Sequence, residues 1–251
     1  MVFGETLEKL GSVMAGSIAV TPEELRNTTA PSLLCAFARS APGRVAFRSK
    51  HLGIYRERTW HTYAHLVART AEAFATLGLA RGERVAIMGE AHEEWVICDL
   101  AAQSLGTIVY GIYPTAAAAE VEYQMRDGGA ALFIAEDQEY ADKILPLADK
   151  LPELRHIVVI DDTAMFDYAH QKLKSYQALL SGAQGDLEWL EAQVEHLSPD
   201  DPAFIVYTSG TTGHPKGALV AHGKHLAATA NIVAHYPGIM AQTPQKPGLT
   251  A

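Results

Sequence analysis

Phe204-Ile205-Val206-Tyr207-Thr208-Ser209-Gly210-Thr211-Thr212-Gly213-His214-Pro215-Lys216-Gly217 is the stretch on which the reading of this chain turns. An apolar run of β type, Ala203 to Tyr207, enters a loop of small residues. Gly210, Gly213 and Gly217 let the backbone come close to an anion and reach φ > 0 where the turn demands it. Thr208, Ser209, Thr211 and Thr212 add hydroxyls, and consecutive backbone N–H groups in such a turn form an anion-binding nest. Lys216 supplies a compact positive charge suited to phosphate. Many donors, little bulk and a cation are what a polyphosphate site needs. The loop is not a Walker A motif, in which Gly directly precedes the Lys and Ser or Thr follows it; here Pro215 precedes Lys216 and Gly217 follows. Nor does a Gly-x-Gly-x-x-Gly follow an early strand, so a dinucleotide fold is not supported. An isolated Gly-Thr-Thr-Gly reads as a solvated turn. The β-run before it and the Lys-Gly after it reverse that reading.

Working outward, a helix is expected from about Gly223 to Ala234. Upstream, strands and helices alternate. Trp60 to Gly78 places Tyr63, Leu66, Val67, Phe74 and Leu77 on one face at helical spacing, with Gly78 where a C-terminal cap belongs. Val85 to Met88, Thr107 to Ile112, Ala131 to Ala135 and His156 to Ile160 read as strands. Glu93 to Leu105, Ala118 to Arg126 and Gln138 to Lys150 read as the helices between them. Ser32 to Ser40 reads as a short helix, and Val45-Ala46-Phe47 with Ile54-Tyr55 as a small hairpin. Several strands are continuous apolar runs, as a sheet buried on both faces requires. The fold class is therefore α/β: a doubly wound, mostly parallel sheet with flanking helices.

The domain organisation follows from the breaks. Residues 1–30 lack periodicity and read as an N-terminal arm. Residues 31–197 read as a first α/β subdomain, whose last part, Thr163 to Leu197, is a connection plus a helix around Leu187 to Val194. Residues 198–236 read as the strand, phosphate loop and helix that open the next subdomain. Residues 237–251, with Pro237, Pro244 and Pro247, read as a truncated tail, a loop cut before its next element.

With 29 acidic against 20 basic residues the formal net charge is −9, which disfavours nucleic acid and anionic membrane as bulk partners. Cys35 and Cys98 lie in apolar stretches and read as buried reduced thiols, which suits a cytoplasmic protein. Met1 to Val20 carries Glu5 and Glu8 and lacks a basic n-region, so it does not read as a signal peptide. No apolar run reaches the roughly 18 residues of a membrane span. His61 and His65 stand four apart on a helix without a third ligand and read as a surface pair. His92-Glu93-Glu94 lacks the second His of a zincin and reads as a helix start. Trp189 reads as core.

Tyr207-Thr208-Ser209-Gly210-Thr211-Thr212-Gly213-x-Pro215-Lys216-Gly217 resembles the signature of the adenylate-forming, AMP-binding superfamily: acyl-CoA synthetases, peptide-synthetase adenylation domains and luciferases. Thr59-Trp60-x-x-Tyr63, Gly82-Glu83-Arg84-Val85-Ala86-Ile87 and the segment Leu105 to Thr115 are similar to further stretches of it. The likeness covers roughly residues 30 to 236. Tyr113-Pro114-Thr115 and Leu154 to Asp161 look most like long-chain fatty acyl-CoA ligases. The resemblance implies part of the large N-terminal domain of such a fold and a two-step reaction using ATP, Mg²⁺ and coenzyme A. It places Thr208, Ser209, Gly210, Thr211, Thr212, Gly213 and Lys216 on the β- and γ-phosphates, with Thr212 contacting Mg²⁺ through ATP. His222 matches a family His near substrate or nucleotide, against a purely local hydrogen bond.

The family's later motifs (a Glu for Mg²⁺, an Asp for ribose, an Arg and a catalytic Lys) cannot be placed before Ala251. No catalytic residue is assigned, and the chain is expected to be an N-terminal portion, inactive alone. Two alternatives stay open: a non-catalytic nucleotide-binding or interaction module, and an adenylating enzyme of another branch, such as an aryl-CoA ligase or peptide-synthetase domain. The expected partners are a carboxylic acid, ATP and CoA, without nucleic acid or a transmembrane segment; peripheral membrane contact and a homodimer are left open.

Overall fold

The third strand shows why this sheet must be covered twice. In β3 (Arg84–Met88), Val85 and Ile87 face one apolar cluster while Ala86 and Met88 face another, and all four are buried. The same alternation recurs in β5 (Ala130–Ala135), where Leu132 and Ile134 oppose Phe133 and Ala135. It recurs again in β6 (His156–Val159), where Val158 opposes Ile157 and Val159. A strand apolar at every position has no solvent face to offer, so helices must pack on both sides. The computed structural model describes residues 22–208 and 214–235.

In chain order the first elements are α1 (Pro22–Arg26), α2 (Ala30–Ser40), β1 (Val45–His51), β2 (Ile54–Thr59), α3 (Trp60–Thr76), β3, α4 (Glu93–Ser104), β4 (Ile108–Ile112) and α5 (Ala118–Gly128). Then come β5, α6 (Gln138–Ile144), a 3-10 helix (Leu145–Lys150), β6, β7 (Leu173–Ser175), α7 (Tyr176–Gly182) and α8 (Leu187–Val194). The last are β8 (Pro202–Thr208), β9 (Lys216–Ala221) and α9 (His222–His235). β1 and β2 form a separate antiparallel hairpin. The other seven strands form one sheet in the order β7-β6-β5-β3-β4-β8-β9, parallel throughout except that β9 runs antiparallel to β8. α2, α3, α4, α7 and α8 cover one face; α5, α6 and the 3-10 helix cover the other. The expected α/β, doubly wound, mostly parallel sheet is what forms.

Local chemistry sets the element ends. The Thr59 hydroxyl caps α3 by accepting from the Thr62 N–H at 3.2 Å. From there Tyr63, Val67, Ala71 and Phe74 form a buried stripe. Gly129 ends α5 in the left-handed conformation at φ 58°, which a residue without Cβ adopts at no steric cost.

Three expectations are corrected. The helix expected over Gln138 to Lys150 stops being α-helical at Ile144, because Pro146 lacks the N–H that an interior turn needs, and the chain tightens into the 3-10 helix. The irregular connection expected after Thr163 contains β7 and α7. Residues 198–236 hold a second strand, β9, between the loop and the helix, and β8 and β9 lie at the edge of this same sheet. Of the arm expected over 1–30, residues 22–30 are described, and α1 packs on α9. The contact is close: a Cβ on Gly223 would lie 2.0 Å from the Arg26 carbonyl oxygen. Residues 237–251 lie outside the described residues.

Candidate functional site

The Gly/Thr loop joins the two strands of an edge hairpin. β8 and β9 pair from Pro202↔Ala221 to Thr208↔Lys216, so Thr208 and Lys216 face each other at the mouth of the loop. These are two of the seven residues expected at the phosphates. Ser209, Gly210, Thr211, Thr212 and Gly213 lie outside the described residues. Lys216 is exposed and forms no ion pair among the described residues. A hydroxyl and an uncommitted ammonium opposite each other offer a donor and a charge to a polyphosphate without rearrangement.

Sheet hydrogen bonding fixes this hairpin weakly to the body. β4 pairs with β8 at Val109↔Phe204 alone, near the far end from the loop. Side chains hold the loop end instead. The Tyr207 hydroxyl donates to Asp127 Oδ2 at 2.8 Å, and its ring meets Tyr110 edge-on at 5.6 Å. The Tyr123 hydroxyl donates to the Pro215 carbonyl at 3.0 Å, and its ring stacks on His214 at 4.5 Å and 17°. Burial, and then the Asp127 carboxylate, raise the Tyr207 phenol above its ordinary range, so it remains a donor. Tyr123 and Asp127 lie four apart on α5 and therefore on one face. α5 is itself anchored where Arg84 donates to the Gly128 and Gly129 carbonyls, both at 2.8 Å. Sequence reasoning missed Tyr123 and Asp127. Their spacing is a signal of a shared face, but nothing in it points to a hairpin 80 or more residues away.

A cleft of about 490 Å³ runs beside β8, between α4 and α9, with Trp95, Asp99, Gln103, Phe204, His222 and His225 among its lining. Asp99 is half-buried, keeping solvent contact on the cleft side. Burial pushes its carboxyl up to about 6, opposed by the hydrogen bond that Gln103 Nε2 donates to Oδ1 at 2.7 Å. His222 is 2% exposed, and burial pushes its imidazole down to about 4, so it is neutral at pH 7. Neither ring nitrogen has a hydrogen-bond partner, and the backbone N–H donates to the Asp201 carbonyl at 3.2 Å. The ring thus makes no local hydrogen bond among the described residues, and it lines the cleft at the start of α9.

The remaining expectations can be placed. Cys35 and Cys98 are buried free thiols, and burial pushes Cys35 up to about 12, so neither suits a nucleophile. His61 and His65 are exposed, and among the described residues no group of three His, Cys, Asp or Glu could hold a metal. Glu93 starts α4 and is held ionised by Arg58, with which it pairs closely. Trp189 packs against the core.

The loop between β8 and β9 thus opens at the edge of a mostly parallel sheet covered on both faces. The family model for AMP-binding enzyme matches residues 35–246, and the chain belongs to that family. It is 28% identical over 202 residues to the long-chain-fatty-acid–CoA ligase FadD15 of Mycobacterium bovis, covering 80% of this chain and 32% of that protein. It is 31% identical over 175 residues to the long-chain-fatty-acid–CoA ligase ACSBG1 of Rattus norvegicus, covering 67% and 24%. Among solved structures, the acetoacetyl-CoA synthetase of Streptomyces lividans matches in fold with a TM-score of 0.70 at 19% identity, over 83% of this chain and 32% of that one. The anthranilate CoA ligase AuaEII, in complex with anthranoyl-AMP, matches with a TM-score of 0.65 at 25% identity, over 88% and 39%. The chain thus spans a quarter to a third of the length of these curated relatives.

Proposed function

We propose that this chain is the N-terminal portion of an ATP-dependent acid–thiol ligase that activates a fatty acid through an acyl-adenylate. The observation that carries the reading is the loop Thr208–Lys216, with Thr208 and Lys216 paired across its mouth. The acid's carboxylate oxygen attacks the α-phosphorus of ATP, and pyrophosphate leaves. The sulfur of coenzyme A then attacks the acyl carbonyl; the thiol proton is lost and AMP leaves. The chain's own part is to bind and orient the β- and γ-phosphates, the leaving group of the first step. Lys216 places positive charge where negative charge accumulates as pyrophosphate departs, and Thr208 donates a hydrogen bond beside it. The donor set at the mouth, the Thr208 hydroxyl and the Lys216 ammonium, fits phosphate oxygens better than a bare cation. Mg²⁺ would be held through the phosphates of ATP, with Thr212 as the expected protein contact, and supplies charge neutralisation when bound. Serine, threonine and glycine residues 209–213 complete the cradle in this reading. A cytoplasmic location, CoA as thiol and a fatty rather than aromatic acid belong to the same proposal; the fatty acid is suggested by the names of the distant relatives.

The test is acid-dependent ATP–pyrophosphate exchange by the natural gene product that contains this chain, with acetate, benzoate, octanoate and palmitate. Exchange with octanoate or palmitate supports the fatty-acid reading, and exchange with benzoate alone moves the protein to an aryl branch. ATP binding without exchange on any acid sinks the ligase reading in favour of a binding module. Lys216→Ala should cut exchange by about a hundredfold, the loss typical of a transition-state charge contact, while leaving Tm unchanged. Unchanged turnover and ATP KM would remove the phosphate-loop assignment.

A further inference from the structure

We propose that Tyr123 and Asp127, one turn apart on α5, form a latch that sets the position of the phosphate-loop hairpin, and so act as positioning residues for polyphosphate. The inference rests on the phosphate-loop reading above. The hairpin's only ladder contact with the sheet body among the described residues is Val109↔Phe204, close to the end remote from the loop. From Ile205 to Thr208, β8 is paired with β9 alone. A two-stranded ribbon is marginal by itself. What ties its loop end down is side-chain chemistry, and among the described residues its polar contacts with the body come from a single face of α5. Asp127 accepts from Tyr207 on the strand entering the loop at 2.8 Å. Tyr123 reaches the strand leaving it, donating to the Pro215 carbonyl at 3.0 Å and stacking on His214.

The latch therefore grips both legs of the hairpin at its mouth, next to the Thr208↔Lys216 pair. Its base does not give way easily. Arg84, on the central strand, fixes the end of α5 through two carbonyls, and the Tyr110 hydroxyl donates to the Gln124 carbonyl at 3.3 Å. Position 214 is the unspecified residue within the loop signature. A ring there gives this chain a stacking contact that a small or aliphatic residue would not make.

The arrangement separates two roles. Lys216 and Thr208 contact the ligand; Tyr123 and Asp127 act through them, by limiting how far the mouth swings from the sheet. Tyr123→Phe removes one hydrogen bond and keeps the stack. Tyr123→Ala removes both, and Asp127→Ala releases the other leg.

The experiment is hydrogen exchange on the natural gene product that contains this chain, read at the hairpin-end amides 206–208 and 216–218. It runs in parallel with tripolyphosphate and ATP binding by calorimetry and with Tm. Exchange at those amides should quicken about fivefold in Tyr123→Phe and about thirtyfold in Tyr123→Ala, with tripolyphosphate binding weakened by similar factors and Tm held. Unchanged exchange in both Tyr123→Ala and Asp127→Ala overturns the latch. So does acceleration across the whole chain with a lowered Tm, which would make the pair ordinary supports of the fold. Faster exchange with binding untouched, while Lys216→Ala weakens binding, overturns the link to phosphate. If neither the native chain nor any variant binds tripolyphosphate or ATP, the phosphate-loop reading is what fails, and the latch is decided by exchange alone.

Discussion

Replacing Asp99 by asparagine should make the protein more stable, and only above a defined pH. Asp99 sits at the inner wall of the cleft beside β8, where burial raises its carboxyl from the ordinary 3.8 to about 6. Because the folded-state value is raised, the folded chain holds this proton more tightly than the unfolded chain does. Below about pH 4 both states are protonated and Asp99 costs nothing. Between about pH 4 and pH 6 the carboxylate must ionise in a poorly solvated place, so its contribution to stability falls as pH rises; above pH 6 the penalty is constant. About two pH units at ~1.4 kcal/mol each set a ceiling near 3 kcal/mol. Solvent reaching Asp99 through the cleft lowers the expectation to about 2 kcal/mol. The Asp99→Asn amide keeps the neighbour contact with Gln103 and removes the charge. Thermal unfolding of native chain and variant from pH 4 to pH 8 reads the difference directly. The two should coincide near pH 4 and diverge through pH 6, with the variant about 4–8 °C higher from pH 6.5 upward. A gap that is the same at every pH would refute the desolvation argument, as would a variant less stable at pH 7.

Gly223→Ala should lower stability by about 2–3 kcal/mol, because the new methyl would sit 2.0 Å from the Arg26 carbonyl oxygen and one backbone must move. Urea unfolding measures it, and a neutral result would show that α1 is loosely placed. Phe74→Ala empties a fully buried position on α3 and should cost about 3–5 kcal/mol, read as a lower urea midpoint at constant m-value. By contrast Arg39→Ala, which breaks the exposed bidentate pair with Glu191, should cost under about 1 kcal/mol in the same assay.

The sheet was largely legible because its central strands are apolar at consecutive positions. β3 and β5 announce themselves as doubly buried, and Gly106 and Gly129 mark helix ends at positive φ. Weaker signals went unread where burial is one-sided. β7 is three half-buried residues, Leu173–Ser175, too short to show a period. β9 is an edge strand, exposed over its first four residues and opened by Lys216-Gly217, which reads as loop. Pro146 shortened a helix whose apolar pattern continues past it. At the candidate site, the stretch from Thr208 to Lys216 stood out because its donor chemistry and spacing are local, and the structure pairs its two ends. Tyr123 and Asp127 did not, because their partners are separated by 92 and 80 residues and meet only through the sheet order. At His222 the motif left ligand contact and a local hydrogen bond as alternatives, and the ring nitrogens are buried without a partner among the described residues.

The seating of α1 on α9 has a consequence for how the chain comes to be folded. Arg26 and Gly223 stand near opposite ends of the described chain and approach to the limit that backbone atoms allow. Closing so long a loop has a large entropic cost and cannot precede the sheet that brings its ends together. During synthesis α1 leaves the ribosome long before its docking surface on α9 is made. α1 should therefore remain without its partner while β3 to β6 assemble. Its docking would then act as the closing clasp, reporting that β8 and β9 have joined the sheet.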